Sequence, residues 1–145
     1  MPSAAMRGFL GFVAAAIAVL TFHQGMVALL HEFGLALAPY RTTPIGPLKV
    51  PQIADLCFWG GLYGIVFGVL APRFTLPLWV CGLIMGIIAA LVGMFIVAAI
   101  KHNPIANGWQ PWPIARSLLI NGSWGLGVGL ILPLLLPRSL VSAHP

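Results

Sequence analysis

Residues 21–34 read TFHQGMVALLHEFG and come directly after the apolar run GFLGFVAAAIAVL. His23, Gln24, His31 and Glu32 thus fall within about three helical turns of one another. Imidazoles beside a carboxylate can move protons, bind zinc or ligate haem, so each chemistry has a spacing test. The zinc motif HExxH fails, because Leu35 stands where the second histidine is needed. A bis-histidine haem needs a second imidazole at the depth of His23 on another helix; His102, the nearest candidate, ends an apolar run instead. No Ser/His/Asp set, carboxylate pair or phosphate-binding glycine loop can be assembled. The glycines of GGLYG (60–64) lie inside an apolar run, where they serve helix packing. Cys57 and Cys81 match no metal-ligand pattern and fall near opposite ends of their runs, too far apart for a disulfide. The expectation is a protein that is not an enzyme and carries no cofactor, with association with haem or quinone in a redox complex as a weaker alternative.

The polar residues share a depth. His23 lies 16 positions after Arg7, about 24 Å along a helix. His31 and Glu32 come later, at the end of the same run. Asp55 begins the second apolar run at that end, Arg116 begins the fourth, and Asn121 is about one turn deeper. His23, Gln24, His31, Glu32, Asp55, Arg116 and Asn121 therefore define a candidate polar pocket confined to one end of the molecule. A permeation path needs polar groups through the full thickness; here the opposite half offers mainly Arg7, Arg73 and Arg138. The bland alternative for His23 is a neutral imidazole that bonds a backbone carbonyl or Asn121 and locks two helices together.

Composition fixes the elements that must carry these groups. The 145 residues are 60% hydrophobic and 6% charged, with a mean hydropathy of +1.03. A soluble domain of this size cannot bury so much apolar surface, so the expected surroundings are a lipid bilayer. Apolar runs long enough to span it are expected at about 8–35, 53–70, 76–100 and 114–136, with a flexible tail at 139–145. The first run, with Arg7 ahead of it, imitates a secretion signal and is read as the first span. The proline-rich segment APYRTTPIGPLKVPQ is expected to be extended and stiff. The short turn APRFTLP predicts that the second and third spans pack as an antiparallel hairpin. The seven Lys and Arg residues stand singly at the ends of runs, as headgroup anchors do, with no basic stripe for nucleic acid.

An internal repeat sets the architecture. PIGPLKVPQIADLCFWGGLYGIVFGVLAP lies over PIANGWQPWPIARSLLINGSWGLGVGLILP with one inserted residue, matching Gly61, Gly64, Gly68 and Pro72 with Gly122, Gly125, Gly129 and Pro133. In the preceding spans Gly25 and Ala28 match Gly86 and Ala89. The expected fold is all-α: an integral membrane four-helix bundle of two tandem, parallel-related hairpins about a pseudo-twofold axis along the membrane normal. The alignment also places Asp55 opposite Arg116 as an ion pair across that axis. Small residues recur every fourth position at Gly60, Gly64 and Gly68, at Gly82, Gly86 and Ala90, and at Asn121, Gly125 and Gly129, each set forming one flat stripe. Such stripes pack a bundle internally or dock it on a partner. The leading functional expectation is a non-catalytic accessory or structural subunit in a homo-oligomer or larger membrane complex. The alternative is a small-molecule or ion binding or transport protein using the polar pocket. The expected location is a bacterial inner membrane; the basic flank of the first span and the long loops opposite favour cytoplasmic termini, although the Lys and Arg counts on the two sides nearly balance.

Overall fold

A computed structural model of the chain describes residues 2–137. Among them are four helices long and apolar enough to cross a membrane. They are α1, Ala4–Glu32; α2, Gln52–Leu70, prolonged by the 3-10 turn Ala71–Arg73; α3, Leu78–Ile100; and α4, Pro111–Leu135. The expected tail 139–145, with Arg138 and His144, lies outside the described residues.

The helix ends reflect local chemistry. The Ser3 hydroxyl accepts from the Met6 N–H at 3.2 Å and caps α1. The apolar pattern runs on to residue 35, yet α1 stops at Glu32. Gly34, at φ +69°, turns into the left-handed region; its N–H reaches the His31 carbonyl at 2.8 Å and the Leu35 N–H reaches the Leu30 carbonyl at 2.8 Å. That pair of bonds is a Schellman ending. α3 closes in the same way around His102, at φ +54°, with His102 N–H bonded to Ala99 and Asn103 N–H to Ala98. α4 starts at Pro111, earlier than the expected 114, because the first turn of a helix has no use for the N–H groups that prolines lack. The connection between α1 and α2 is not uniformly extended. Pro44–Ile45 (β1) pairs antiparallel with Val50–Pro51 (β2) across a turn with Gly46 and Lys49 at positive φ.

Two backbone-to-backbone contacts organise the packing. Gly64 lies so close to Gly11 that a Cβ on either would overlap the other's carbonyl oxygen, and a Cβ on Gly68 would overlap the Arg7 carbonyl. Gly125 and Gly82 are related in the same way, with Gly129 against the Leu78 carbonyl and Gly86 against the Asn121 carbonyl. α1 is therefore fastened antiparallel to α2, and α3 to α4, while α1 and α4 also touch each other at the centre of the molecule. The Trp124 indole N–H crosses that central contact to the Ala15 carbonyl at 3.1 Å, buried, and its ring stands edge-on to Tyr63. Ala14, Ala15, Ala18, Val19, Phe67, Val128 and Leu132 complete the core with Trp124.

This arrangement corrects two expectations. α2 and α3, joined by the short turn, do not pack as a hairpin; their close partners are α1 and α4. The small-residue stripes prevail over loop length because they alone allow backbones to meet and dispersion contacts to accumulate. The register relating the two fastened pairs also differs. It matches Gly11 with Gly82 and Ala15 with Gly86, whereas Gly25 faces open space and has no counterpart in the buried Gly86. A twofold axis between the pairs would make α2 approach α3 as closely as α1 approaches α4, and the backbones do not.

Glycine substitutions separate these roles. Gly64→Leu and Gly125→Leu should each lower stability by about 1–3 kcal/mol or more, since the added atoms meet backbone that cannot yield. Gly25→Ala should be neutral or stabilise by about 0.5–1 kcal/mol, because it meets nothing and restricts the unfolded chain. Thermal melting of the three variants in one detergent checks the order; a Gly25→Ala loss equal to the Gly64→Leu loss would contradict it.

Candidate functional site

The cluster at His23 and Gln24 sits where α1 changes its winding. Residues Val19–His23 form a π turn, with α-helical geometry resuming at Gln24. A π turn holds one extra residue, so it rotates the helix beyond it and loosens local carbonyls. Two hydroxyls donate there: Thr21 to the Ile17 carbonyl at 2.7 Å and Tyr40 to the Leu20 carbonyl at 2.7 Å. α3 carries a comparable π turn at Val92–Val97.

The rotation turns Gln24 inward. It is the one buried polar side chain among the described residues, 3% exposed, and both ends of its amide are engaged. Oε1 accepts from the Tyr40 N–H at 2.6 Å, and Nε2 lies 3.1 Å from His23 Nδ1. Since the amide nitrogen only donates, His23 Nδ1 accepts, which leaves the imidazole neutral with its proton on Nε2. Tyr40 is held at φ +53°, so the bond fixes the loop after α1 in a conformation that a free chain would leave. Gln24 and the Tyr40 hydroxyl together draw residues 36–41 back over α1.

That returning loop forms one wall of a cavity of about 360 Å³, within the range of small-molecule sites. His23 and Gln24 line it from α1, Gln52 and Leu56 from α2, and Arg116, Ser117 and Asn121 from α4, with Arg41 and Asn107 added by the two connections. Val27, Leu37 and Ile120 supply apolar wall. Asn107 is shaped for its place: Ala106, Asn107 and Gly108 are all left-handed, and the Asn107 amide donates to the Pro113 carbonyl at 3.2 Å. The Asn121 amide donates to the Ser117 carbonyl at 2.9 Å. Asn107 also lines a neighbouring cavity of about 450 Å³ beside Lys101 and the second π turn.

Of the seven candidate residues, His23, Gln24, Arg116 and Asn121 meet in this cavity. His31, Glu32 and Asp55 do not line it. His31 is exposed and holds the Ala36 carbonyl at 3.0 Å, so it braces the returning loop from outside. Glu32 is exposed at the last residue of α1. The Asp55 carboxylate accepts from the Trp59 indole N–H, one turn along its own helix, at 3.2 Å. The expected ion pair between Asp55 and Arg116 is absent among the described residues, consistent with the missing twofold relation. His102 is the residue that terminates α3 and lines neither cavity. Cys57 and Cys81 are free thiols.

Arg41, Gln52, Asn107 and Ser117 are not singled out by the sequence. For Ser117 a signal existed, since 113, 116, 117, 120 and 121 form one helical face and all line the cavity. Arg41 and Asn107 had none, because their positions depend on how two irregular loops fold back. No family model, curated protein or solved structure matches this chain, so the functional reading rests on the geometry.

Replacing Gln24 tests the arrangement. Gln24→Leu keeps the volume but strands the Tyr40 N–H, and should cost about 1–3 kcal/mol, read as a lowered melting temperature in detergent. Proteolysis of the connection 33–51 should speed up in the same variant. An unchanged melting temperature and cleavage rate would mean that Gln24 does not hold the loop.

Proposed function

We propose that the chain is a non-catalytic, four-span protein of a bacterial inner membrane that binds a small ligand in the cavity around His23, Gln24, Arg116 and Asn121. The observation that carries this reading is a cavity of ligand size whose polar lining is braced from three helices and two loops. The four helices have the length and hydropathy of spans, and their outer faces expose large apolar side chains such as Ile84, Ile88, Phe95 and Ile96, as lipid contact requires. Arg7 in the first turn of α1 and the long connections opposite support cytoplasmic termini.

Ligand binding is preferred to a purely structural role because the stripes that would dock a partner are occupied. Gly64, Gly68, Gly82, Gly86, Gly125 and Gly129 all face backbone of the same chain, and Gly60 faces Val19 and Trp124. Assembly with itself or with other membrane subunits would have to use other faces. Binding is preferred to transport because the polar lining belongs to one end of the helices. On this reading the cavity forms where the long loop of the first fastened helix pair folds back toward the second.

Two measurements test the proposal. In a background lacking Cys57 and Cys81, single cysteines at Gly46 and Asn103 should react with a membrane-impermeant maleimide from one side, and a cysteine at Thr75 from the other. Reaction of all three from one side would overturn the four-span topology. Native mass spectrometry of protein released from its membrane should show a noncovalent small-molecule adduct that Ser117→Trp, which fills the cavity, abolishes at an unchanged melting temperature. An adduct retained in Ser117→Trp would place binding elsewhere.

A further inference from the structure

Building on the ligand-binding reading, we infer that the ligand is an anion: an amphiphile whose oxyanion group, carboxylate or phosphate, is held between Arg41 and Arg116. Both arginines line the cavity and no carboxylate does. The chain contains only two acidic residues; Asp55 is turned to Trp59 and Glu32 is exposed at the end of α1. Among the described residues neither the Arg41 nor the Arg116 guanidinium has a hydrogen-bond or ion-pair partner, whereas Arg7, the arginine at the other end of α1, holds the Pro2 and Val69 carbonyls. Arg41 is exposed and Arg116 half-buried, so the two border the cavity as cations with no counter-charge from the chain, and an anion entering it meets both.

The remaining lining agrees. His23 is neutral, Gln24 is engaged with Tyr40 and His23, and the amide donors of Asn107 and Asn121 are turned to backbone carbonyls. His23 Nε2, Gln52 and Ser117 add neutral donors to the lining, and the two guanidinium groups are its only charged ones among the described residues. Their planar fork matches the oxygens of a carboxylate or phosphate in paired hydrogen bonds. Val27, Leu37, Leu56 and Ile120 contribute apolar lining, which suits a hydrocarbon portion beside the charge. The cavity lies at the helix ends, the level at which lipid headgroups would lie around the four spans, so the oxyanion can belong to a lipid or to a free metabolite.

The test is thermal melting of the full chain in an uncharged maltoside detergent at fixed ionic strength. The probes are inorganic phosphate, decanoate, phosphatidylglycerol and a neutral monoacylglycerol. At least one anionic probe should raise the melting temperature while the neutral lipid does not. Stabilisation by phosphate or decanoate identifies a free oxyanion as ligand, and stabilisation by phosphatidylglycerol alone identifies a headgroup. Arg41→Gln and Arg116→Gln should each weaken the effective probe about tenfold, as expected for loss of a charge-assisted hydrogen bond. Lys49→Gln, an exposed cation outside the cavity, should leave it unchanged. A wild-type protein indifferent to all three anions, or an anion effect intact in the double arginine variant, would overturn the inference. The failure is distinguishable from that of the cavity reading: a neutral adduct lost in Ser117→Trp but kept in the double arginine variant removes only the anion.

Discussion

Direct backbone contact at glycine is the constraint on which the rest of the molecule depends. Where Gly11 meets Gly64, and where Gly82 meets Gly125, no room remains for a single carbon atom. Contacts of that closeness fix the separation, direction and register of two helices at once, because a shift of one residue would drive a side chain into a carbonyl. Helices this apolar gain little from mutual burial if hydrocarbon surrounds them, so close approach and dispersion must provide the cohesion. The pairing of α1 with α2 and of α3 with α4 is the outcome, and the short link between α2 and α3 has no influence over it.

The fastening is strongest toward one end and leaves the other free for irregular structure. α1 is tied to α2 from Arg7 to Val19, and the π turn begins at Val19. Beyond that point the helix is no longer bound by carbonyl-tight contacts, as the open space around Gly25 records. The extra residue of the π turn directs Gln24 inward, and Gln24 in turn captures the backbone of Tyr40. A loop that would otherwise leave the molecule becomes a wall of a cavity. The polar residues therefore gather at one end because the close-packed stripes exclude them from the other.

The charge of the cavity has a similar origin. The chain has two acids and seven Lys and Arg residues; Asp55 holds a neighbouring indole, and Glu32 is exposed at the end of α1. Arg41 and Arg116 are left facing a shared space without a counter-ion from the chain. Arg41 is exposed and Arg116 half-buried, so water screens both charges and the chain bears little cost for leaving them unpaired; what they provide is a cationic border to the cavity.

Much of this was legible in the residues alone. The number of helices could be read from the lengths of the apolar runs, and the stripes marked contact faces on α2, α3 and α4 but not the Gly11–Ala15 face of α1, since period and composition are local properties. The confinement of His23, Gln24, Arg116 and Asn121 to one end came from counting along the helices. Other features belonged to the tertiary structure. The sequence could not say which stripe met which, since Gly64 would fit a stripe on α3 as readily as Gly11; the choice depends on complementarity along two whole faces. Nor could it place Arg41 and Asn107 in the cavity, or remove Asp55, His31 and Glu32 from it, because those positions depend on left-handed loop residues and on a π turn with no local signature. Periodicity determined the parts and their faces; long-range contact between backbones decided the pairing, and the pairing decided the site.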